Sequence, residues 1–318
     1  MKVQEHIEAS KGKTQFSFEI LPPLKGQNMQ SIFDNIDPLM EFKPPFIDVT
    51  YHREEYVYED AGNGLLEKKI VRKRPGTVGI CAAIQNKYHV DAIPHVLCGG
   101  FTKEDTENFL IDLDFLGIDN VMALRGDAVK NETYFVPEKN GHVFAEGLVQ
   151  QISALNKGEY LDPSLQNHAK THFSIGVAGY PEKHAEAPNL ESDIFYLKKK
   201  IEQGASYVVT QLFYDNKKYF RFVDACRAAG IKIPIIPGLK PISTKKQLNI
   251  IPQRFNAELP EDLRRAVAQC KDNFEVREVG IAWCVAQSKE LMESGVPFLH
   301  YYSMGKSDNI RAVAQQLF

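Results

Sequence analysis

Two acidic residues stand where strands should end. Phe16-Ser17-Phe18-Glu19-Ile20-Leu21-Pro22-Pro23 alternates aromatic and polar positions and then meets two prolines, the pattern of a strand with one buried face whose pairing stops there. Val121-Met122-Ala123-Leu124 reads as a buried strand and runs straight into Arg125-Gly126-Asp127. A carboxyl group in such a place can give up a proton or steady a cation, and two of them suggest the rim of one pocket. The plainer alternatives are an edge charge for Glu19 and a turn former for Asp127. Thr50, His95, Gln211 and Tyr302 likewise continue apolar runs with a polar side chain. His95 and His300 lack a tight carboxylate or histidine motif, and His172 and His184 read as loop residues, so no metal is expected. A nucleophile elbow is absent, which argues against a Ser/His/acid hydrolase.

The elements that must position these residues alternate regularly. After the Phe16 run, strands are expected at 46–49, 94–98, 120–124, 173–178, 207–211, 233–236 and 298–302. Between and after them, helices are expected at 31–42, 77–87, 102–116, 147–155, 189–203, 218–229, 277–294 and 309–317, with 67–73 also helix-like. Pro234 predicts an irregular seventh strand. This grammar favours an α/β fold, a single (β/α)8 TIM barrel over residues 1–318, rather than a doubly wound sheet. No Gly-x-Gly-x-x-Gly follows the first strand and no Walker loop occurs, so a dinucleotide would bind at the barrel mouth.

Composition bounds the rest. With 318 residues, 43% of them hydrophobic, the chain can bury a large core, and a net charge of −3 gives no reason to expect nucleic acid or membrane as a partner. No apolar export region or bilayer-length run is evident, so a cytoplasmic location is expected. The five cysteines form no Cys-x-x-Cys pair and read as core thiols.

Seven segments, in order along nearly the whole chain, resemble the methylenetetrahydrofolate reductase family in its bacterial form. They are the Phe16–Pro23 run, Pro94-His95-Val96-Leu97-Cys98, Ala123-Leu124-Arg125-Gly126-Asp127, Gly179-Tyr180-Pro181-Glu182 with His184, Thr210-Gln211-Leu212-Phe213, Ile236-Pro237-Gly238 and His300-Tyr301-Tyr302. The resemblance implies a catalytic barrel without the regulatory domain of larger relatives. It implies FAD as cofactor, NADH or NADPH as transient reductant, and conversion of 5,10-methylenetetrahydrofolate to 5-methyltetrahydrofolate. It casts Glu19 as the acid that protonates the departing folate nitrogen and Asp127 as a carboxylate beside flavin and folate. Gln211 and Tyr302 become substrate contacts. Thr50, His95, Arg125, Gly126, Phe144, Ala145, Tyr180 and His184 become cofactor contacts.

Several positions depart from the family pattern. Glu146-Gly147 follows Phe144-Ala145 where serine-aspartate is usual, Lys245 stands near an aromatic position, and Ser303-Met304-Gly305-Lys306 replaces the usual ending after the last strand. Lys245 and Lys246 leave NADPH and a small redox protein open as electron donors, and a homo-oligomer is also left open. Two other classes compete: a pterin- or corrinoid-associated methyltransferase barrel, and a noncatalytic metabolite-binding barrel.

Overall fold

A computed structural model describes residues 1–129 and 132–318. Its strands are β1 (Gln15–Ile20), β2 (Phe46–Val49), β3 (Glu55–Gly62), β4 (Leu65–Val71), β5 (Asp91–Leu97), β6 (Asn120–Leu124), β7 (Ser174–Gly179), β8 (Tyr207–Thr210), β9 (Ile235–Ile236), β10 (Gly238–Leu239) and β11 (Phe298–Tyr302). Nine of them form one parallel sheet in the order β10-β11-β1-β2-β5-β6-β7-β8-β9. The two ends of that order, β9 and β10, are separated in the chain by Pro237 alone, so the sheet curls into a nearly closed, TIM-barrel-like cylinder flanked by helices.

Period-two alternation sorts the side chains between two cores. Phe16, Phe18 and Ile20 of β1, Val121 and Ala123 of β6, and Leu299 and Tyr301 of β11 face the helical layer and join its large apolar cluster. The alternate set points into the cylinder, where Phe46, Ile93, Met122, Tyr207 and Phe298 pack together. Val3, from the helix Val3–Ala9, completes this inner cluster and plugs the amino-terminal end. Its amide donates to Asn120 Oδ1 at 3.0 Å, and Asn120 Nδ2 returns a bond to the Met1 carbonyl at 2.8 Å. With that end closed, the opposite mouth is the opening on which loops converge.

Most expected elements appear within a few residues of their places. The 31–42 helix is divided into an α-helix, Gln30–Ile36, and a 3₁₀ turn, Asp37–Phe42, at the point where Pro38 removes an amide donor. The seventh strand starts only after Pro234, at Ile235, in keeping with the irregularity expected there, and it is broken again at Pro237. One expectation is wrong: 67–73 is not helical. Its residues through Val71 belong to β4, which pairs antiparallel with β3 in a hairpin outside the barrel. Asn63 and Gly64 at its tip both take positive φ, the requirement of a tight two-residue turn, and Lys69 pairs with Glu59 across the strands at 2.7 Å. All five cysteines are free and buried.

The helix Asn273–Glu293 approaches the segment after β10 so closely that a Cβ on Gly280 would lie 1.9 Å from the Ile242 carbonyl oxygen. The neighbouring atoms are backbone and cannot swing aside. Gly280→Ala is therefore expected to cost about 3 kcal/mol of stability, read as a lowered denaturant midpoint. An unchanged midpoint would mean that the segment yields freely.

Candidate active site

Glu19 reaches the interior because Phe16, Phe18 and Ile20 occupy the outer face of β1. In register it sits between Asp48 on β2 and Tyr302 on β11. Its Oε2 lies 3.4 Å from His95 Nε2, and the same ring nitrogen lies 3.7 Å from Asp48 Oδ2. Tyr302 donates its hydroxyl to the Thr210 carbonyl at 2.5 Å, tying β11 to the end of β8 across the break at Pro237. Deeper still, Ser17 Oγ contacts His300 Nδ1 at 3.0 Å.

Electrostatics distinguish the members of this group. Burial lifts the Glu19 carboxyl to about 7, opposed by the His95 cation, aided by the Asp48 carboxylate and opposed again by Lys240. Burial works against a charged His95, yet the carboxylates of Asp48 and Glu19 outweigh it and set the ring above its ordinary value. His300, by contrast, is pushed down by burial. The arrangement thus retains protons near neutrality, as a general acid requires.

A second group flanks the mouth on the loops after β6 and β7. Gly126 bends the chain with φ +84° between Arg125 and an exposed Asp127. Arg125 makes a two-pronged ion pair with Glu186, both bonds at 2.7 Å, and its guanidinium lies 5.2 Å from the centre of the Phe135 ring. Tyr180 meets His184 edge to face at 4.8 Å. The two groups adjoin: the Tyr302 hydroxyl is influenced by Glu19, Asp48 and Tyr180, and the His52 ring by both His95 and Asp127.

The remaining expected residues are more scattered. Gln211 takes a bond from the Leu212 amide on its Oε1 at 2.9 Å and lines a cleft with Tyr180, Phe255 and Asn256. Thr50 Oγ1 is buried without a hydrogen-bond partner among the described residues. Phe144 is 63% exposed and precedes the helix Ala145–Leu155, with no contact to the acid group. Lys245 and Lys246 stand exposed, and Lys245 Nζ is spent on the Ala268 carbonyl at 3.4 Å.

Three residues missed in the sequence belong to this region. Asp48 and Lys240 both act on Glu19, while Lys200 is a half-buried cation held at about 8 by desolvation against the pull of Asp193. Lys200 lines a small cavity with Tyr180 and Asp193, and its Nζ donates to the Ala178 carbonyl at 3.0 Å. Asp48 was detectable: it shares the inward face of β2 with Thr50, two residues on.

A nearly closed parallel barrel with the half-buried Glu19 at a strand end belongs to the class of TIM-barrel-like folds whose loops converge on the carboxyl-terminal mouth. The family model for methylenetetrahydrofolate reductase matches residues 2–318, and the chain belongs to that family. It is 33% identical over 316 residues to methylenetetrahydrofolate reductase (NADH) 1 of Arabidopsis thaliana, covering 96% of this chain and 48% of the plant protein. It is 29% identical over 318 residues to 5,10-methylenetetrahydrofolate reductase of Escherichia coli, covering 99% of this chain and 94% of that one. The chain spans about half the length of the plant relatives it matches. Among solved structures, an uncharacterized protein from Clostridium thermocellum that binds two copies of 5-methyl-5,6,7,8-tetrahydrofolic acid shares the fold with TM-score 0.58 at 14% identity, covering 99% of this chain and 97% of that one. Among the described residues, no helix is long and apolar enough to cross a membrane.

Proposed function

We infer that this protein is a flavin-dependent oxidoreductase of the cytoplasm that reduces 5,10-methylenetetrahydrofolate to 5-methyltetrahydrofolate, with NADH or NADPH as reductant. On this reading residues 1–318 form one catalytic domain. The barrel is (β/α)8, with β9 and β10 as two parts of a seventh strand interrupted at Pro237. The observation that carries the reading is Glu19, a carboxyl lifted to about 7 at the mouth of this family's barrel.

The residues present fit FAD. Thr50 offers a buried hydroxyl that lacks a partner among the described residues, Gly126 turns the chain with positive φ, and Lys200 supplies a half-buried cation beside Tyr180. Thr50, His95, Arg125, Gly126, Phe144, Ala145, Tyr180 and His184 would hold the cofactor. When bound, FAD supplies the redox chemistry, taking a hydride equivalent from the nicotinamide and passing one to the folate carbon. The chain's own part is acid catalysis and orientation. Glu19 hands its proton to N10 as the methylene bridge opens, and the developing positive charge at N5 is steadied by Asp127. Gln211 has both a donor and an acceptor with which to read the pterin edge, and Tyr302 closes the wall beside it.

Protein purified with its cofactor should show a flavin spectrum, bleach anaerobically with NADH or NADPH, and regain colour on adding methylenetetrahydrofolate as the methyl product forms. Bleaching by a reduced redox protein alone would replace the nicotinamide and keep the folate step. Methyl transfer without flavin or net reduction would instead identify a methyltransferase, and tight folate binding without turnover a binding protein.

A further inference from the structure

Asp48 is only 1% exposed and is not explained by packing. Its Oδ1 is buried without a hydrogen-bond partner among the described residues, a costly state for a carboxylate unless its charge is used. Its Oδ2 approaches His95 Nε2 at 3.7 Å, on the same nitrogen that faces Glu19 at 3.4 Å. β1 and β2 are adjacent and place Glu19 and Asp48 in register, and β5 follows directly with His95. Two carboxyl groups therefore converge on one ring nitrogen of His95, that of Asp48 being the more buried of the two. We propose that Asp48 is a positioning residue for folate reduction: it holds His95 Nε2 toward the carboxyl pair and balances the charge of the ring, leaving Glu19 to carry the transferable proton.

The inference rests on the reductase reading and adds to it a residue that does not touch the reacting atoms. Charge counting gives the mechanism. With Asp48 ionised, His95 as imidazolium and Glu19 as neutral acid make an uncharged trio. Without the Asp48 charge, the same two protons would leave a buried net positive charge, so one is released and the remaining one is shared between His95 and Glu19. Other groups acting here come from every neighbouring element. Lys240 acts on Glu19 from the segment after β10, and His52 on His95 from the loop after β2. His300 and Tyr302 on β11, Tyr207 on β8 and Cys81 on the helix Thr77–Tyr88 all feel Asp48. Among the described residues, only His95 lies at ion-pair distance from both Asp48 and Glu19.

The test uses the FAD-loaded protein and Asp48→Asn, which removes the charge and keeps the shape. Isotope-labelled histidine should report His95 as imidazolium at pH 7 in the wild type, and its titration should fall by about one pH unit in the variant. The alkaline limb of the folate half-reaction should move down by about the same amount, making the variant about tenfold slower above it, with flavin reduction by the donor unchanged. In a His95→Gln background, Asp48→Asn should shift the limb by less, leaving only the direct effect of the Asp48 charge on Glu19, and an undiminished shift there would overturn the role of the ring. A neutral His95 ring in the wild type would overturn the proposal even if the variant failed to fold. A shifted ring with an unmoved limb would overturn the link to Glu19. Absence of folate turnover in the flavin-loaded wild type would instead refute the reductase reading, and the ring titration would still decide the charge arrangement.

Discussion

Glu19→Gln is expected to slow the folate half-reaction about 10²–10⁴-fold while leaving flavin reduction by the electron donor intact. Gln keeps the size and hydrogen-bonding capacity of the acid but has no transferable proton. The donor half-reaction moves a hydride equivalent and needs no acid at this position. A single steady-state rate would blur the two, so each half-reaction is followed separately by flavin absorbance. An unimpaired folate half-reaction would remove Glu19 from the acid role.

The same carboxyl makes a stability prediction whose sign follows from linkage. Its folded-state value of about 7 stands above the ordinary 4.5, so the native state holds a proton that the unfolded chain releases earlier. The contribution to stability is full below pH 4.5 and is lost as pH rises through 7. Wild-type folate reduction should likewise be fastest below pH 7 and fall tenfold per unit above it. Glu19→Gln lacks this titration and should be the more stable protein at pH 8, by up to about 3 kcal/mol, with little advantage at pH 5. Denaturant midpoints of both proteins at the two pH values give the answer. Equal differences at both would show that burying the Glu19 charge carries no cost.

Where the sequence was legible, a local rule matched the tertiary outcome. Glu19 could be found because alternation along β1 assigns its face without reference to any other strand. Alternation puts Asp48 on the face of β2 that carries Thr50, but within Phe46-Ile47-Asp48-Val49, a run that reads as uniformly buried, its meaning comes from register with β1, which no local pattern states. The β3–β4 hairpin carried an Asn63-Gly64 turn signal, but Glu67, Lys68 and Lys69 gave the segment a charged, helical look that cross-strand pairing explains better. In the seventh loop, the eye goes to the exposed pair Lys245 and Lys246, whereas the chain path after Pro237 brings Lys240 toward Glu19. Strand ends were readable, and loop trajectories were not.

Asp127→Asn should produce the second large effect, of a different kind. Asp127 is exposed on the loop after β6, where its charge is felt by Arg125, Tyr180, His184 and His52. Asn preserves its outline and one acceptor while removing the charge. A charged hydrogen bond to the pterin, worth about 1.5–3 kcal/mol, would be weakened, so the folate half-reaction should slow by about 10- to 100-fold. Negative charge beside a flavin disfavours adding electrons, so the potential should also rise, but only by about 20 mV, because an exposed charge near a ligand acts through a water-like dielectric at about 1 kcal/mol. A rise in potential alone cannot account for a hundredfold loss, so the two readouts separate charge tuning from direct contact with folate. Slower folate reduction with an unmoved potential would place Asp127 on the substrate and away from the flavin, a shifted potential with normal folate reduction would place it on the flavin alone, and no change in either would exclude it from the site.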